Sequence, residues 1–395
     1  MKTRITITVI IFFAFVISGC DIINNKDVEP NFEFTKVISN LDFDSDFYAH
    51  DIKQTSDGGF IILASVYNND NTYIWTTPHI IKIDSMGNMV GERAVESPYV
   101  NPVGNMIQTS GGLYFACMNE TSLETHLLKI NETTAEITPE ISYTNISYPL
   151  AVSQNSDNSF LIQGYNIYAR TTSLSEINAD MTIAQSNTFS LYEDAEEIVI
   201  NHLTKRGKQY PFFTGEAGDY YYFNGLYNYS FSLVFVNKTD LSYQGVMNGF
   251  RYSGAVSSLS NISTGNYAFS TFFEGNNYFF PAGEINETAV SSIENLDGDI
   301  MPNIQTDANV ITKSVTINGT DMTVIASNTN DNQIILMFFD QSGSLLNTKK
   351  IMDNHRIEIS QLIQTNDDSI VIVGRTFAAG QFSRVFVSKI SVEDL

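Results

Sequence analysis

Along most of the chain, small polar residues precede short apolar blocks. Gln54–Ser65, QTSDGGFIILAS, is the clearest case, and related phrases start at Gln108 (QTSGGLYFAC), Gln154 (QNSDNSFLIQG) and Gln364 (QTNDDSIVIVG). Ser, Asn, Asp and Gly form tight turns, and an apolar block bounded by turn residues reads as a buried strand. A second phrase, HIIKID, ends at Asp84. Its counterparts end at Asn131, Asn178, Asn237, Asn286, Asp340 and Ser391. The steps are 47, 47, 59, 49, 54 and 51 residues, a period of about 51. No helical period competes after the N-terminal segment.

Each unit reads as four short strands. In the first they are predicted at Ala49–Thr55, Gly59–Val66, Thr77–Ile83 and Asn88–Val95. Seven such antiparallel units predict an all-β, seven-bladed β-propeller, because one blade cannot bury its faces without neighbours. The seventh unit supplies Glu358–Thr365, Ser369–Thr376 and Arg384–Ser391, and lacks a fourth strand. Phe32–Ser39 is the expected replacement. The N-terminal strand then completes the C-terminal blade and hides two sheet edges, making residues 32–395 a single domain. The loose pattern IxQTxDGGxIIxG…IxKxDxxGN resembles divergent propellers of bacterial lipoproteins and secreted proteins. With one tryptophan, Trp75, and no Trp-Asp dipeptide, WD-type repeats are not matched.

Ahead of the repeats lie Lys2 and Arg4, an apolar run from Ile5 to Ile17, and Ile17–Ser18–Gly19–Cys20. The run is shorter than the roughly 20 residues that span a bilayer, and it reads as a secretory signal. ISGC resembles the lipobox of bacterial lipoproteins. The resemblance implies a signal peptide at 1–19, a lipid on Cys20, a tether at 20–31, and attachment to the outer membrane of a Gram-negative bacterium on its periplasmic or surface face. Losing Lys2 and Arg4 takes the net charge from −23 to −25. So acidic a chain suits neither nucleic acid nor anionic lipid surfaces. Of the two cysteines only Cys117 remains, which excludes a disulfide framework.

Candidate chemistry is sparse. Thr55–Gly59 partly resembles the Asp-box of sialidase-type propellers, which is structural even where complete. Asp42, Asp44 and Asp46 alternate as in a calcium loop, but the glycine turn is missing and the twelfth position is Lys53. The five histidines have no i,i+3 or i,i+4 pairing, so no metal or other cofactor is expected, and no catalytic residue stands out. Aromatic residues are the remaining candidates. Glu216–Tyr229 reads as an enlarged loop of the fourth unit carrying Tyr220, Tyr221, Tyr222, Tyr227 and Tyr229. Phe272 and Phe273 follow in the fifth unit, and Trp75 occupies the equivalent loop of the first. Tyrosine and tryptophan suit glycan or protein surfaces, although the same alternation fits strands packed between blades. The expectation is a lipid-anchored, non-enzymatic binding or scaffold module for a protein or polysaccharide. The alternative is a glycan hydrolase or lyase with carboxylates at the central channel.

Overall fold

Seven antiparallel sheets follow one another along the chain and form a seven-bladed β-propeller. This computed structural model describes residues 33–38, 45–67 and 75–394. Cys20, the predicted signal peptide and tether, and Asp42 and Asp44 lie outside the described residues. The first blade runs Phe47–Gln54, Phe60–Tyr67, Thr76–Ile83 and Met89–Ala94. In the seventh, Arg356–Gln364, Ile370–Phe377 and Arg384–Ile390 are completed by Phe34–Ile38, antiparallel to the last of them. Phe34 meets Phe60 of the first blade edge to face at 6.3 Å. The ring also fills the space over Gly87, where a Cβ would approach it to 2.5 Å. The expected closure by the N-terminal strand is therefore present.

All seven recurrent phrase ends, from Asp84 to Ser391, fall at the close of a blade's third strand. The reason is a local turn. Asp84 Oδ1 accepts from the N–H groups of Met86 and Asn88, and Asp340 Oδ1 from those of Ser342 and Ser344. Short carboxylate and amide side chains capture backbone donors in this way.

Among the described residues, seven apolar clusters each lie between consecutive blades. Between the seventh and first, for example, Phe34, Ile52, Phe60, Ile62, Val373 and Val387 pack together. Between the fourth and fifth lie Tyr222, Phe235, Tyr267 and Phe269.

The motif residues hold these layers in register. Gln54 Oε1 accepts from Asn366 N of the seventh blade at 2.9 Å. Gln154 exchanges two hydrogen bonds with the backbone of Gln108 in the second blade, and Gln364 does the same with Thr316 in the sixth. Within the first blade the buried Lys82 ammonium donates to Asp57 at 2.8 Å and Thr55 at 2.5 Å. Lys389 and Asp367 repeat that pair in the seventh at 2.7 Å, and Lys238 and Glu216 form a variant in the fourth at 2.9 Å.

Two expectations are corrected. Glu216–Tyr229 is not an enlarged loop: Phe213–Ala217 and Tyr220–Tyr227 are the first and second strands of the fourth blade, paired in unbroken register. Gly218–Asp219 makes the turn that Ser56–Gly59 makes in the first blade. The long step in the repeat instead comes from residues 191–212, between the third and fourth blades. This insertion contains α1, Glu196–Leu203. Its signals are Asp194, whose carboxylate accepts from Glu196 N at 3.0 Å, two glutamates in the first turn, and apolar residues facing one side. Val199 and Leu203 bury that side against Leu150, Tyr165, Leu226 and Phe231. The expectation of no helix fails because a two-turn helix inside a strand repeat leaves little periodicity to detect.

Candidate functional site

The first strands of the blades ring the propeller axis. Where they begin, they and the tail of the insertion enclose a cavity of about 340 Å³. Blade one contributes Tyr48 and His50, blade five Ser257, blade six Asp307 and Asn309, and blade seven Glu358 and Arg375. The insertion contributes His202, Lys205, Lys208 and Tyr210. Further along the axis, Gln361 Nε2 donates to Asn105 Oδ1 at 3.2 Å, and Asn105 Nδ2 to Val152 O at 3.0 Å. These bonds bridge blades seven, two and three.

The tail is held by several contacts. Asn224 Nδ2 donates to Pro211 O at 2.8 Å. Phe212 meets Phe231 at 4.9 Å and His202 at 4.7 Å, both edge to face. Arg206 covers the ring of Tyr67 at 4.9 Å.

The cavity gathers cations in an acidic chain. Arg375 Nη2 lies 2.7 Å from Glu358 Oε2, and its guanidinium covers Tyr48 at 4.7 Å. The other oxygen of Glu358 accepts from Arg356. Lys208 pairs with Asp307 at 3.5 Å and lies 4.5 Å from the Phe272 ring centroid. Aromatic faces thus fix both cations in place. Lys205 makes no ion pair among the described residues. Lys205 is half-buried, with part of its surface facing the cavity. That burial, and then the charge of Arg375, lower its pKa to about 8. Burial and the Lys205 charge also hold His50 and His202 well below the ordinary histidine value, so both are neutral at pH 7. His50 Nε2 lies 2.8 Å from Ser65 Oγ, while the buried Nδ1 of His202 has no hydrogen-bond partner.

The sequence-predicted aromatics separate into two groups. Phe272 lines the cavity. Trp75 packs on the apolar cluster beneath the insertion, and Tyr229, at the tip of its hairpin, stacks on Tyr192 of the insertion at 5.3 Å. The others belong to the blades. Tyr221 and Tyr222 are only 3% and 7% exposed. Tyr220 packs on the cluster around Tyr222, and Tyr227 stacks on Tyr243 at 5.9 Å. Phe273 meets Phe250 at 5.4 Å. For Tyr221 and Tyr222, packing between blades is the arrangement observed.

Sequence reasoning missed His50, His202, Lys205, Lys208, Glu358 and Arg375. One signal was present: His202, Lys205, Arg206 and Lys208 fall within seven residues of a chain with 21 Lys and Arg in all. Convergence of first strands on an axis leaves no trace in linear order. Among the described residues, no group of three or more His, Cys, Asp or Glu side chains could hold a metal ion.

No protein-family model matches the chain, and no curated protein matches it. Solved structures do resemble it. The β-propeller domain of the Trilobed protease from Pyrococcus furiosus is 11% identical, with a TM-score of 0.49 over 89% of this chain and 96% of that one. The core factor of Saccharomyces cerevisiae is 9% identical, with a TM-score of 0.50 over 91% of this chain and 61% of that one. At such identities the likeness is one of fold.

Proposed function

We propose that the chain is a lipid-anchored binding module of the Gram-negative cell envelope, which takes a polysaccharide or protein ligand at the axial cavity. Cys20 carries the lipid, and the acidic tether joins it to the propeller. The observation that carries the reading is the cavity itself: concave, walled by aromatic and polar side chains, and within the size range of ligand pockets, about 300–1,000 Å³.

Its two carboxylates favour binding over hydrolysis. A glycosidase needs one carboxylic acid kept protonated. Here each carboxylate is already engaged by cations, Glu358 by Arg356 and Arg375 and Asp307 by Lys208.

The test is to fill the cavity. Ala308 lines it, and Ala308→Trp in the full-length protein should abolish retention of polysaccharide from outer-membrane extracts while thermal unfolding is unchanged. A folded Ala308→Trp protein that retains ligand as well as the parent overturns the assignment.

A further inference from the structure

The charge arrangement of the cavity deepens that reading, on which this inference rests. Lys205, Lys208 and Arg375 face two carboxylates there, Asp307 and Glu358. The partnered cations account for both carboxylates: Arg375 and Arg356 share Glu358, and Lys208 has Asp307. Lys205 is the cation left over. It lies near enough to His50, His202 and Arg375 for charge repulsion to act among them. A half-buried ammonium in the cavity wall with no carboxylate of its own is a ready partner for an anion. An anion supplied from solution satisfies it.

We propose that the cavity binds a sugar acid, with the ligand carboxylate held at Lys205. The rest of the wall suits a polyhydroxylated ring. Ser257, Asn277, Asn309 and Ser360 offer hydroxyl and amide groups, and Tyr210 adds an aromatic surface. Lys208 and Arg375 are held in place by the rings they cover and the carboxylates they pair with. One surplus positive charge in a cleft of a chain carrying −23 overall also steers small anions inward.

The experiment is calorimetric titration of the full-length protein in detergent with digalacturonate, with its neutral counterpart digalactose, and with inorganic phosphate. The expected result is binding of digalacturonate only. Lys205→Met should weaken it at least about tenfold, the worth of one charge-assisted hydrogen bond, while Lys205→Arg restores most of it. Binding by the unaltered protein should hold up to pH 8 and fall above it, as Lys205 loses its proton. His50 and His202 are already neutral there. Lys208, Arg375, Glu358 and Asp307 are the other charged groups facing the cavity. If Lys205→Met does not fold, this pH profile decides alone.

Digalactose bound as tightly as the acid, with Lys205→Met indifferent, overturns the anion assignment. The cavity reading survives that result if Ala308→Trp still abolishes binding. Phosphate bound as tightly as digalacturonate overturns the sugar acid in favour of a simple anion site.

Discussion

Blades one and four are built to one plan and differ in what surrounds it. In blade one the motif residues hold the scaffold together. Gln54 ties the blade to its neighbour, Thr55 and Asp57 hold Lys82, and Gly58, at φ +78°, makes the turn. Blade four keeps an acid–lysine pair in Glu216 and Lys238 but is reached through residues 191–212, which repeat nothing. That insertion closes over the axis and brings His202, Lys205 and Lys208 to the cavity. The comparison teaches that recurrence here marks residues committed to the scaffold, whereas three of the cavity's polar side chains come from the segment where recurrence fails. Loops positioned by a rigid frame commonly carry binding residues in this way.

The largest effect that would sharpen this contrast lies in the blade-one pair. Lys82 is 2% exposed along its side chain and Asp57 is 55% exposed. Asp57→Ala should therefore be the worse of the two deletions, because it strands a buried ammonium, at a cost of about 3 kcal/mol. Lys82→Met leaves Asp57 to water and should cost about 1 kcal/mol. Urea unfolding of both single variants and the double measures it, and the double should be more stable than Asp57→Ala alone.

The pair also has a pH signature. Partial burial pushes the Asp57 carboxyl up, but hydrogen bonds from Lys82, Thr55 and Gly59 outweigh it, and its pKa falls from 3.8 to about 2. A depressed folded pKa contributes stability above about pH 4 that is lost as the pH falls towards 2. The stability gap between the protein and Asp57→Asn should shrink across that window. A gap constant from pH 5 to pH 2 would show that the pair does not hold this carboxylate.

The next effect tests whether the insertion is separable from the blades. Val199 is fully buried under α1. An aspartate there either pulls its charge into the apolar cluster, at severe cost, or lifts the helix away. Detachment caps the loss at the docking free energy of one short element, about 1–2 kcal/mol of global stability. Tryptic cleavage after Lys205, Arg206 and Lys208 should accelerate many-fold in Val199→Asp while the main unfolding transition moves little. A fall as large as that of Asp57→Ala would make the insertion an integral part of the fold and break the contrast.

Much of the scaffold is legible in the sequence because its forces are local and repeat. Asp84 and Asp340 form turns with their own neighbours, and Phe60–Ala64 is apolar because both faces of that strand are covered. Even the closing strand, Phe34–Ile38, betrays itself as a fourth strand with no blade of its own. The site is less legible for the converse reason. His50, Lys205 and Arg375 are far apart in the chain and meet only because blade one, the insertion and blade seven come together at one end of the axis. The step of 59 residues disclosed extra length, but not its position. Tyr220–Tyr227 attracts attention by composition, whereas the Gly-Asp pair before it is the better guide, since it opens a hairpin as Ser56–Gly59 does.

The tyrosines of that hairpin supply the smallest effects and the finest version of the contrast. Tyr221 belongs to the scaffold: its hydroxyl donates to Glu176 Oε1 at 2.6 Å, and Lys238 covers its ring at 5.1 Å. Burial and the Glu176 carboxylate raise the pKa of that hydroxyl well above the ordinary tyrosine value, so it donates throughout the physiological range. Tyr221→Phe keeps the ring and removes the hydrogen bond, and Glu176 retains Gln185 at 2.6 Å, so the loss should be about 1 kcal/mol. Tyr229, 57% exposed, only stacks on Tyr192, and Tyr229→Ala should cost under about 0.5 kcal/mol. Shifts in urea midpoint at constant slope separate the two. If Tyr229→Ala proves as costly as Tyr221→Phe, the insertion is fastened at its rim as firmly as the blades are to each other, and the boundary between scaffold and binding face must be redrawn to include residue 229.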